Sequence, residues 1–376
     1  MMREEQLAKI WYASLYEVSR KRRMAYVRDG HSVLDVYYEK AGSDLLHQYF
    51  TREEQRKLLK EDRDELTENM AALMEEKKIR FCAFDSPDYP ASLRNIPDPP
   101  YGLFYLGGLP ENDRFCVGIV GARMCTEYGR KIATELGKRL GAAGICVISG
   151  MAAGVDSASH AGALMANAKT YAVLGCGCDI CYPSSSRNLY RQIPNAGGVI
   201  SEYMPQTRPL PIFFPERNRI ISGLSDVLVV VEAREKSGSL ITVDCALDQG
   251  RDIYAVPGRL GDQTSRGCHR LIEQGASILY DPDRFVAEMR QKADMKNKWT
   301  AGTSVTGKRK PQKKALEKEE QLVYSCLDLH PKNVFILLEE TGLTIEALLS
   351  VLSKLTSRGL AEEAQRNAYV RTFVDP

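Results

Sequence analysis

The chain has 376 residues, of which 44% are hydrophobic and 27% are charged, a composition typical of a globular protein with two or three domains. Its formal net charge is only +2, so the overall charge does not indicate a nucleic-acid binder and any anion site must come from local clustering. No stretch reaches the ~18–20 continuous apolar residues that span a membrane, and the first residues lack the apolar core of a secretory signal, which predicts a cytoplasmic protein.

Residues 1–75 are predicted to form a helical domain, because apolar residues recur there at helical spacing, as at Ile10, Trp11, Leu15 and Val18. A dense basic run, Ser19 to Arg28, lies within this part. It is interpreted as a solvated helix face rather than a nucleic-acid contact. Residues 76–114 are rich in proline and predict an extended connector that is held against the next domain.

Residues 115–290 alternate short β-branched runs with amphipathic helices. The runs that predict strands are CVGIV (116–120), ICVIS (145–149), TYAVLG (170–175), DVLVVVEA (226–233), DIYAVPG (252–258) and SILY (277–280). Parallel strands need helical crossovers, and continuous apolar strands are covered on both faces. The sequence therefore predicts an α/β fold with a doubly wound, mostly parallel sheet.

The last part of the chain is predicted to contain a linker and a small module. Residues 291–318 are polar and basic and predict a flexible linker. Residues 319–376 have two helical patterns and then a hairpin with Arg366 and Asn367 at its tip, which predicts a winged-helix module. This module has five lysines or arginines against nine aspartates or glutamates. A DNA-gripping surface needs cations, so the module is predicted to bind protein.

Short turns that contain glycine follow three of the predicted strands. They are Gly121-Ala122-Arg123, Ser149-Gly150 and Ser237-Gly238-Ser239. Backbone N–H groups at such turns, together with helix N-termini, bind anions. One such turn is a weak signal. Three turns at the carboxyl ends of strands in one parallel sheet converge on one crevice, which predicts a phosphate-binding pocket there.

Two arginines and two aromatic residues stand just before the strand at 226–233. They are Arg217 and Arg219, separated by Asn218, and Phe213 with Phe214. Unpaired charge is costly beside a core strand, so the arginines either form structural ion pairs or meet an anionic ligand. Because Arg123 is nearby in the predicted fold, we favour the anionic ligand over structural ion pairs. The phenylalanines are candidates for base stacking, with core packing as an equal alternative.

No catalytic or cofactor motif accompanies these turns. The glycines at 118 and 121 have the wrong spacing for a dinucleotide fingerprint, and no P-loop motif occurs. No nucleophile, base and orienting residue can be assembled from motif spacing, and His160 is interpreted as a buried packing residue. Cys176, Cys178 and Cys181 form a dense cluster without a fourth ligand at zinc-like spacing. We therefore predict no catalytic residue, no metal and no cofactor, with reduced thiols.

Several motifs together resemble the DNA-processing protein A (DprA/Smf) family. They are VGIVGAR, ISGMAAGVDSASHAGAL, YAVLGCGCDICYP, SEY, FPERNRIISGLSDVLVVVEA, SGSLIT and GRDIYAVPG, in this order between about residues 89 and 280. The resemblance implies an extended Rossmann-like central domain, an N-terminal SAM-like helical domain and a C-terminal winged helix. By motif position, Gly121, Ala122 and Arg123 match one family turn, and Ser149, Gly150 and Met151 match another. Arg217, Asn218 and Arg219 match an Arg-Asn-Arg element.

The resemblance also implies a function without catalysis. Members of this family bind single-stranded DNA, protect incoming strands during natural transformation and load the RecA recombinase onto them. They form homodimers through the Rossmann-like domain. Ala122 replaces the usual serine, and Ala153 stands where relatives often have a basic residue, so contacts at these two positions are expected to be weaker.

Two other functions remain open from the sequence. A nucleotide phosphoribohydrolase of the lysine decarboxylase-like type has a similar order of elements, but its Pro-Gly-Gly-x-Gly-Thr-x-x-Glu motif is missing here. Glu232 precedes the corresponding turn instead. The second alternative is an interaction adaptor in which the acidic C-terminal module is the working part.

Overall fold

The computed structural model describes residues 4–38, 42–58, 63–303, 318–327, 332–358, 360–365 and 367–371. The chain divides into two compact units, Met1–Thr303 and Ser304–Pro376. Among the helices of the described ranges, none combines the length and apolar character needed to cross a bilayer.

The first unit is built on a nine-stranded sheet with the order β1-β2-β6-β5-β4-β3-β7-β8-β9. The strands are β1 (Arg80–Ala83), β2 (Gly102–Gly107), β3 (Cys116–Val120), β4 (Cys146–Ser149), β5 (Thr170–Leu174), β6 (Gly198–Ser201), β7 (Val227–Val230), β8 (Asp252–Ala255) and β9 (Ser277–Ile278). Strands β3 to β9 pair in parallel, whereas β2 pairs antiparallel with both β1 and β6. The predicted mostly parallel α/β sheet is confirmed.

Helices cover both faces of this sheet. They are α8 (Glu127–Ala142), α9 (Val155–Met165), α10 (Arg187–Ala196), α11 (Phe213–Leu224), α12 (Gly238–Asp248), α13 (Arg266–Glu273) and α14 (Pro282–Thr303). Val227 and Val229 belong to the apolar layer under α8, α9 and α14. Leu228 and Val230 belong to the layer under α11 to α13. Successive strand side chains point to opposite faces, and both faces are covered, so the strand is apolar throughout.

The direction of winding reverses at β3. From β3 the chain proceeds through β4, β5 and β6 on one side, whereas β7, β8 and β9 lie on the other side. The connections leaving β3 and β7 therefore run to opposite faces of the sheet, α8 to one and α12 to the other. A reversal of this kind opens a crevice at the carboxyl ends of the two strands, where ligands of open α/β sheets bind.

Among the described residues, six helices precede the sheet, and a seventh lies between its first two strands. They are α1 (Glu4–Ser14), α2 (Arg20–Arg28), α3 (Val33–Tyr37), α4 (Ser43–Tyr49), α5 (Arg52–Leu58), α6 (Arg63–Glu76) and α7 (Ala91–Arg94). Ile10 and Tyr12 share an apolar cluster with Ala172 and Leu174 of β5. The N-terminal helices thus pack directly on the sheet. The predicted connector, 76–114, contributes β1 and β2 to the sheet edge.

Helix α14 corrects part of the linker prediction. Residues 291–303 were expected to be flexible, but they form the second half of α14. Their basic side chains have partners on the sheet, since Lys292 pairs with Asp252 at 2.6 Å and Lys296 pairs with Asp226 at 2.9 Å. Residues 304–317 lie outside the described ranges.

The described residues of the second unit form three helices and a small sheet. Its elements are α15 (Lys318–Cys326), β10 (Lys332–Asn333), α16 (Val334–Thr341), α17 (Ile345–Ser357), β11 (Ala361–Gln365) and β12 (Ala368–Arg371), with the sheet order β10-β12-β11. Val323, Leu337, Leu352 and Leu355 are fully buried in its core. Asn367 has a left-handed φ of 61° after β11, whereas Arg366, the other predicted tip residue, is not among the described residues. The winged-helix assignment stays a prediction.

Candidate functional site

An open cavity of ≈ 510 Å³ lies at the carboxyl ends of β3 and β7. Its walls come from the loops after β3, β4, β5 and β7 and from α9, α11 and α12. We call it the central cleft. It occupies the point at which the winding of the sheet reverses, which is where the glycine turns were predicted to converge.

Most of the predicted site residues line the central cleft. They are Gly121, Ala122, Arg123, Phe214, Arg217, Asn218, Ser237, Gly238 and Ser239. Five others do not line it, namely Ser149, Gly150, Met151, Phe213 and Arg219. The first and third glycine turns are thus part of the cleft wall, whereas the second turn lies behind the wall.

Gly154 joins two of the loops that form the cleft. It has a left-handed φ of 85°, and a Cβ at this position would collide with the carbonyl oxygens of Ala122 and Arg123. The next residue, Val155, donates its N–H to the Ala122 carbonyl at 3.3 Å. Only glycine allows this approach, which brings the first turn of α9 against the turn after β3. The N-terminal end of α12, at Gly238, opens onto the same cavity, and such helix ends favour anions.

Arg217 is held rigidly at the cleft wall by backbone carbonyls. Its side chain donates hydrogen bonds to the carbonyl oxygens of Gly150, at 3.0 Å, and Val173, while only 4% of the residue is exposed. A Cβ on Gly150 would lie 2.8 Å from both terminal nitrogens of Arg217. The turn after β4 therefore positions this arginine, and a larger residue at 150 would displace its guanidinium. Burial lowers the pKa of Arg217, and the negative charge of Asp156 opposes that effect.

Asp156 is the carboxyl group on the cleft wall. It is 6% exposed and accepts a hydrogen bond from the Gly150 N–H at 3.1 Å. Burial raises the pKa of Asp156 to about 6, although Arg217 and backbone donors act in the opposite direction. In the structure the side chain contributes negative charge to a cationic cleft, and this charge disappears near pH 6.

The stability of the protein should respond to this carboxyl group. The pKa of Asp156 is higher in the folded chain than its ordinary value of 3.8, so its contribution to stability is complete below about pH 4 and is lost as the pH rises through about 6. We expect Asp156→Asn to stabilise the protein relative to wild type by on the order of 1–3 kcal/mol more at pH 7.5 than at pH 5. Urea unfolding of both proteins at the two pH values measures this difference. If the difference in unfolding free energy between the two proteins is the same at both pH values, the raised pKa of Asp156 is contradicted.

Arg219 lies away from the cleft, which corrects the prediction that it contacts phosphate. Its guanidinium pairs with Glu202 at 2.8 Å and with Asp98 at 3.0 Å, and the residue is 7% exposed. Burial alone would lower the pKa of Arg219, but Glu202 and Asp98 together raise it. The two carboxylates neutralise its charge, so Arg219 is a structural arginine.

The two phenylalanines have different surroundings. The ring of Phe213 packs against Tyr203 with a centroid distance of 4.2 Å and does not line the cleft. Phe214 does line it, but its ring is contacted by Tyr182 at 5.3 Å and by the Arg123 guanidinium at 5.5 Å. For Phe213, the structure shows packing against other side chains, which was the alternative to base stacking. Phe214 supports the cleft wall and the position of Arg123.

Two cations of the cleft were missed by the sequence reasoning. Arg234 and Lys236 line the cavity from the loop between β7 and α12, and both are exposed. Neither forms an ion pair with the described part of the chain. The sequence did contain a signal for them, because Arg234 and Lys236 flank Glu235 immediately before the Ser237-Gly238-Ser239 turn. With exposed Arg123, they place three unpaired positive charges around the cleft.

The basic run at 19–28 is occupied by internal contacts. Arg20 pairs with Glu216 at 3.0 Å, Arg22 pairs with Glu54 at 2.5 Å, and buried Arg23 donates to the Tyr12 carbonyl at 2.7 Å. Arg20 and Arg23 fasten α2 to its neighbours, whereas Lys21, Arg22 and Arg28 stay exposed. The run is therefore partly a packing surface and partly the predicted solvated face.

The cysteines and His160 show no reactive arrangement. In the described ranges, no three His, Cys, Asp or Glu side chains come together to hold a metal ion, and all ten cysteines are free thiols. Cys176 and Cys178 are buried, and burial raises the pKa of each thiol. His160 is buried beside Thr170 at 2.7 Å, and burial lowers its pKa to about 3, so it is a neutral packing residue as predicted.

Glu232, the carboxylate weighed for an enzymatic alternative, has a structural partner. It accepts hydrogen bonds from the Thr126 N–H at 2.9 Å and the Thr126 hydroxyl at 2.5 Å, and it is 3% exposed. The Thr126 hydroxyl in turn caps α8 by accepting the Gly129 N–H. Glu232 therefore fixes the start of α8 and does not face the cleft.

The family model for DNA recombination-mediator protein A matches residues 80–290, which include every element of the cleft. DNA processing protein DprA from Streptococcus pneumoniae is 42% identical over 211 residues, which are 56% of this chain and 74% of that protein. Protein Smf from Synechocystis is 39% identical over 219 residues, or 57% of this chain. The match spans only 55% of that Smf protein's length.

Two solved structures are similar to the chain. The X-ray structure of Streptococcus pneumoniae DprA aligns with a TM-score of 0.62 at 30% identity and covers 76% of this chain and 98% of its own. A structure of DNA processing protein A from Helicobacter pylori, described as giving its single-stranded DNA binding mode, aligns with a TM-score of 0.52 at 27% identity. It covers 57% of this chain and 97% of its own.

Proposed function

Because the chain belongs to the DNA recombination-mediator protein A family, we propose that it binds single-stranded DNA in the central cleft without sequence preference. By this proposal it protects incoming strands during natural transformation and loads the RecA recombinase onto them. It acts as a homodimer formed through the Rossmann-like domain and carries out no chemical step.

The main support is the unpaired positive charge around the cleft. Arg123, Arg234 and Lys236 are exposed at the carboxyl ends of β3 and β7, next to the first turns of α9 and α12. Cations and helix N-termini bind the phosphate backbone of any sequence. The Helicobacter pylori relative, whose described structure concerns single-stranded DNA binding, adds support because its fold aligns with 57% of this chain.

The predicted site residues receive separate roles in this proposal. Gly121 and Ala122 present backbone N–H groups, while Ser237, Gly238 and Ser239 present those of the α12 turn. Arg217 contributes a fixed positive charge, and Asn218 a polar side chain. Ser149, Gly150 and Met151 act indirectly, since their turn positions Arg217.

The open edge of the sheet suits the proposed dimer. Within the described sheet, β9 pairs with β8 alone, and Ile278 of β9 and Tyr280 just after it are 47% and 60% exposed. A two-residue edge strand is too short to pair extensively with another chain, so these exposed side chains would make the contact. RecA loading rests on the family resemblance alone.

A mobility-shift comparison tests the function directly. We expect oligothymidylate to be shifted by the protein at concentrations at which a duplex of equal length is not. Deleting residues 319–376 should change the affinity for oligothymidylate by less than about threefold, because this acidic segment offers phosphate little attraction. Loss of binding in the deletion variant would place the site in the second unit, in agreement with the adaptor alternative. Equal binding of duplex would contradict single-strand selectivity.

One observation favours keeping the phosphoribohydrolase alternative in the test. Asp156 lines the cleft and has a raised pKa, as a general acid or base often does. It is nevertheless hardly exposed and is bound to the Gly150 N–H. Incubation with nucleoside monophosphates should release no ribose 5-phosphate. Release that disappears in Asp156→Asn would establish the enzyme.

A further inference from the structure

Exposed apolar side chains from several elements surround the cations of the central cleft. Met124, after β3, is 78% exposed, Tyr182, after β5, is 40% exposed, and Ile241, on α12, is 39% exposed. All three line the same cavity. Single apolar side chains are common on surfaces, but a group of them around one site marks an interaction surface. Phosphate groups give these side chains no favourable partner, so the ligand must have an apolar part.

Tyr182 is the exposed aromatic member of a set of planar groups on the cleft wall. Its ring lies 5.3 Å from the ring of Phe214, with 37° between the two planes. The guanidinium of Arg123 lies 5.5 Å from the same Phe214 ring. Phe214 is half-buried by these contacts, whereas Tyr182 keeps surface available to a further planar group. The positive charge of Arg123 and the free surface of Tyr182 therefore belong to one continuous wall.

We propose that Tyr182 is a stacking platform for an unpaired base of the bound strand, with Met124 as its apolar neighbour. This inference rests on the proposed function and adds a physical reason for its selectivity for single strands. The phosphate contacts of the cleft act equally on any polynucleotide backbone. A base can reach Tyr182 only when it is free of its own stack, so the platform favours single strands. Every base has a flat π-face, so the contact is also tolerant of sequence.

An abasic oligomer separates the base contact from the phosphate contacts. It carries the same number of phosphates as oligothymidylate but no bases. We expect wild-type protein to bind oligothymidylate about tenfold more tightly than the abasic oligomer. Tyr182→Ala should lower the affinity for oligothymidylate by about tenfold and leave that for the abasic oligomer unchanged, whereas Tyr182→Phe should behave as wild type. Fluorescence anisotropy with labelled oligomers gives all of these affinities.

Tyr38→Ala is the matched control, since Tyr38 is 43% exposed on the N-terminal helical part of the chain. It should alter neither affinity. Equal binding of the two oligomers by wild type, or an equal loss of both in Tyr182→Ala, would overturn the platform and leave the proposed function intact. A change in self-association without a change in affinity would assign the apolar rim to a protein contact instead. Binding of neither oligomer by wild type would refute the proposed function and the platform with it.

Discussion

Replacing Arg123, Arg234 and Lys236 together by alanine should lower the affinity for oligothymidylate by about two orders of magnitude. These three residues line the central cleft, are exposed and have no ion-pair partner in the described part of the chain. Each contact between a cation and a phosphate contributes on the order of 1 kcal/mol or more. Three lost contacts therefore correspond to about a hundredfold change in dissociation constant.

The salt dependence identifies these contacts as electrostatic. The logarithm of affinity for a single strand falls with the logarithm of salt concentration by roughly 0.7 for each phosphate neutralised. In the triple variant, the slope of log affinity against log salt concentration should accordingly be smaller in magnitude by about 2. Titrations at several salt concentrations, by fluorescence anisotropy, supply both the affinity and the slope.

A second triple variant is the control, because it removes three positive charges that lie outside the cleft. Lys138, Lys169 and Arg290 are exposed and do not line the cleft. Their replacement by alanine should leave the slope unchanged, because they are not expected to release counterions on binding. Equal slopes in wild type and in the cleft variant would show that the strand binds elsewhere. Equal losses in both triple variants would indicate a diffuse charge effect rather than a site.

The sheet and the position of its crevice were predictable from local patterns. The runs from Cys116 and from Val227 are continuously apolar because helices cover both faces, and such runs are recognisable in sequence. The antiparallel edge of β1 and β2 was read as a connector, since prolines and short apolar runs hide a strand pairing that forms only against β6. The second half of α14 was missed for a similar reason. Its lysines find partners in Asp226 and Asp252, which lie far away in the sequence.

Most of the residues that line the cleft could be named from the sequence, and the largest error has a geometric cause. Arg217 and Arg219 look equivalent in the sequence as neighbours of a core strand. They lie on α11, where each residue turns the chain by about 100°, so two residues apart means nearly opposite sides of the helix. Arg217 therefore reaches the cleft, whereas Arg219 points to Glu202 and Asp98. Arg234 and Lys236 were not predicted, because the prediction for this loop considered only the backbone N–H groups of the adjacent glycine turn and not the charged side chains before it.

Arg219→Ala should destabilise the protein by about 3–5 kcal/mol, the usual cost of removing one partner from a buried ion pair. Glu202 and Asp98 lose their shared partner, and Arg20, at 3.5 and 3.6 Å from these two carboxylates, compensates only in part. Arg219→Lys should recover only part of the loss. The guanidinium reaches Asp98 through Nε and Glu202 through Nη2, whereas an ammonium offers a single nitrogen for both carboxylates. Urea unfolding at pH 7.5 measures the three free energies.

The same variant separates a structural arginine from a DNA contact. At a temperature at which Arg219→Ala is still folded, its affinity for oligothymidylate and its salt slope should equal those of wild type, because Arg219 is outside the cleft. The Arg123, Arg234 and Lys236 variant should show the reverse, with weak binding and an unchanged free energy of unfolding, because its side chains are exposed. If Arg219→Ala instead unfolds like wild type and its salt slope flattens, the arginine reaches the DNA. The ion pair with Glu202 would then have to open on binding.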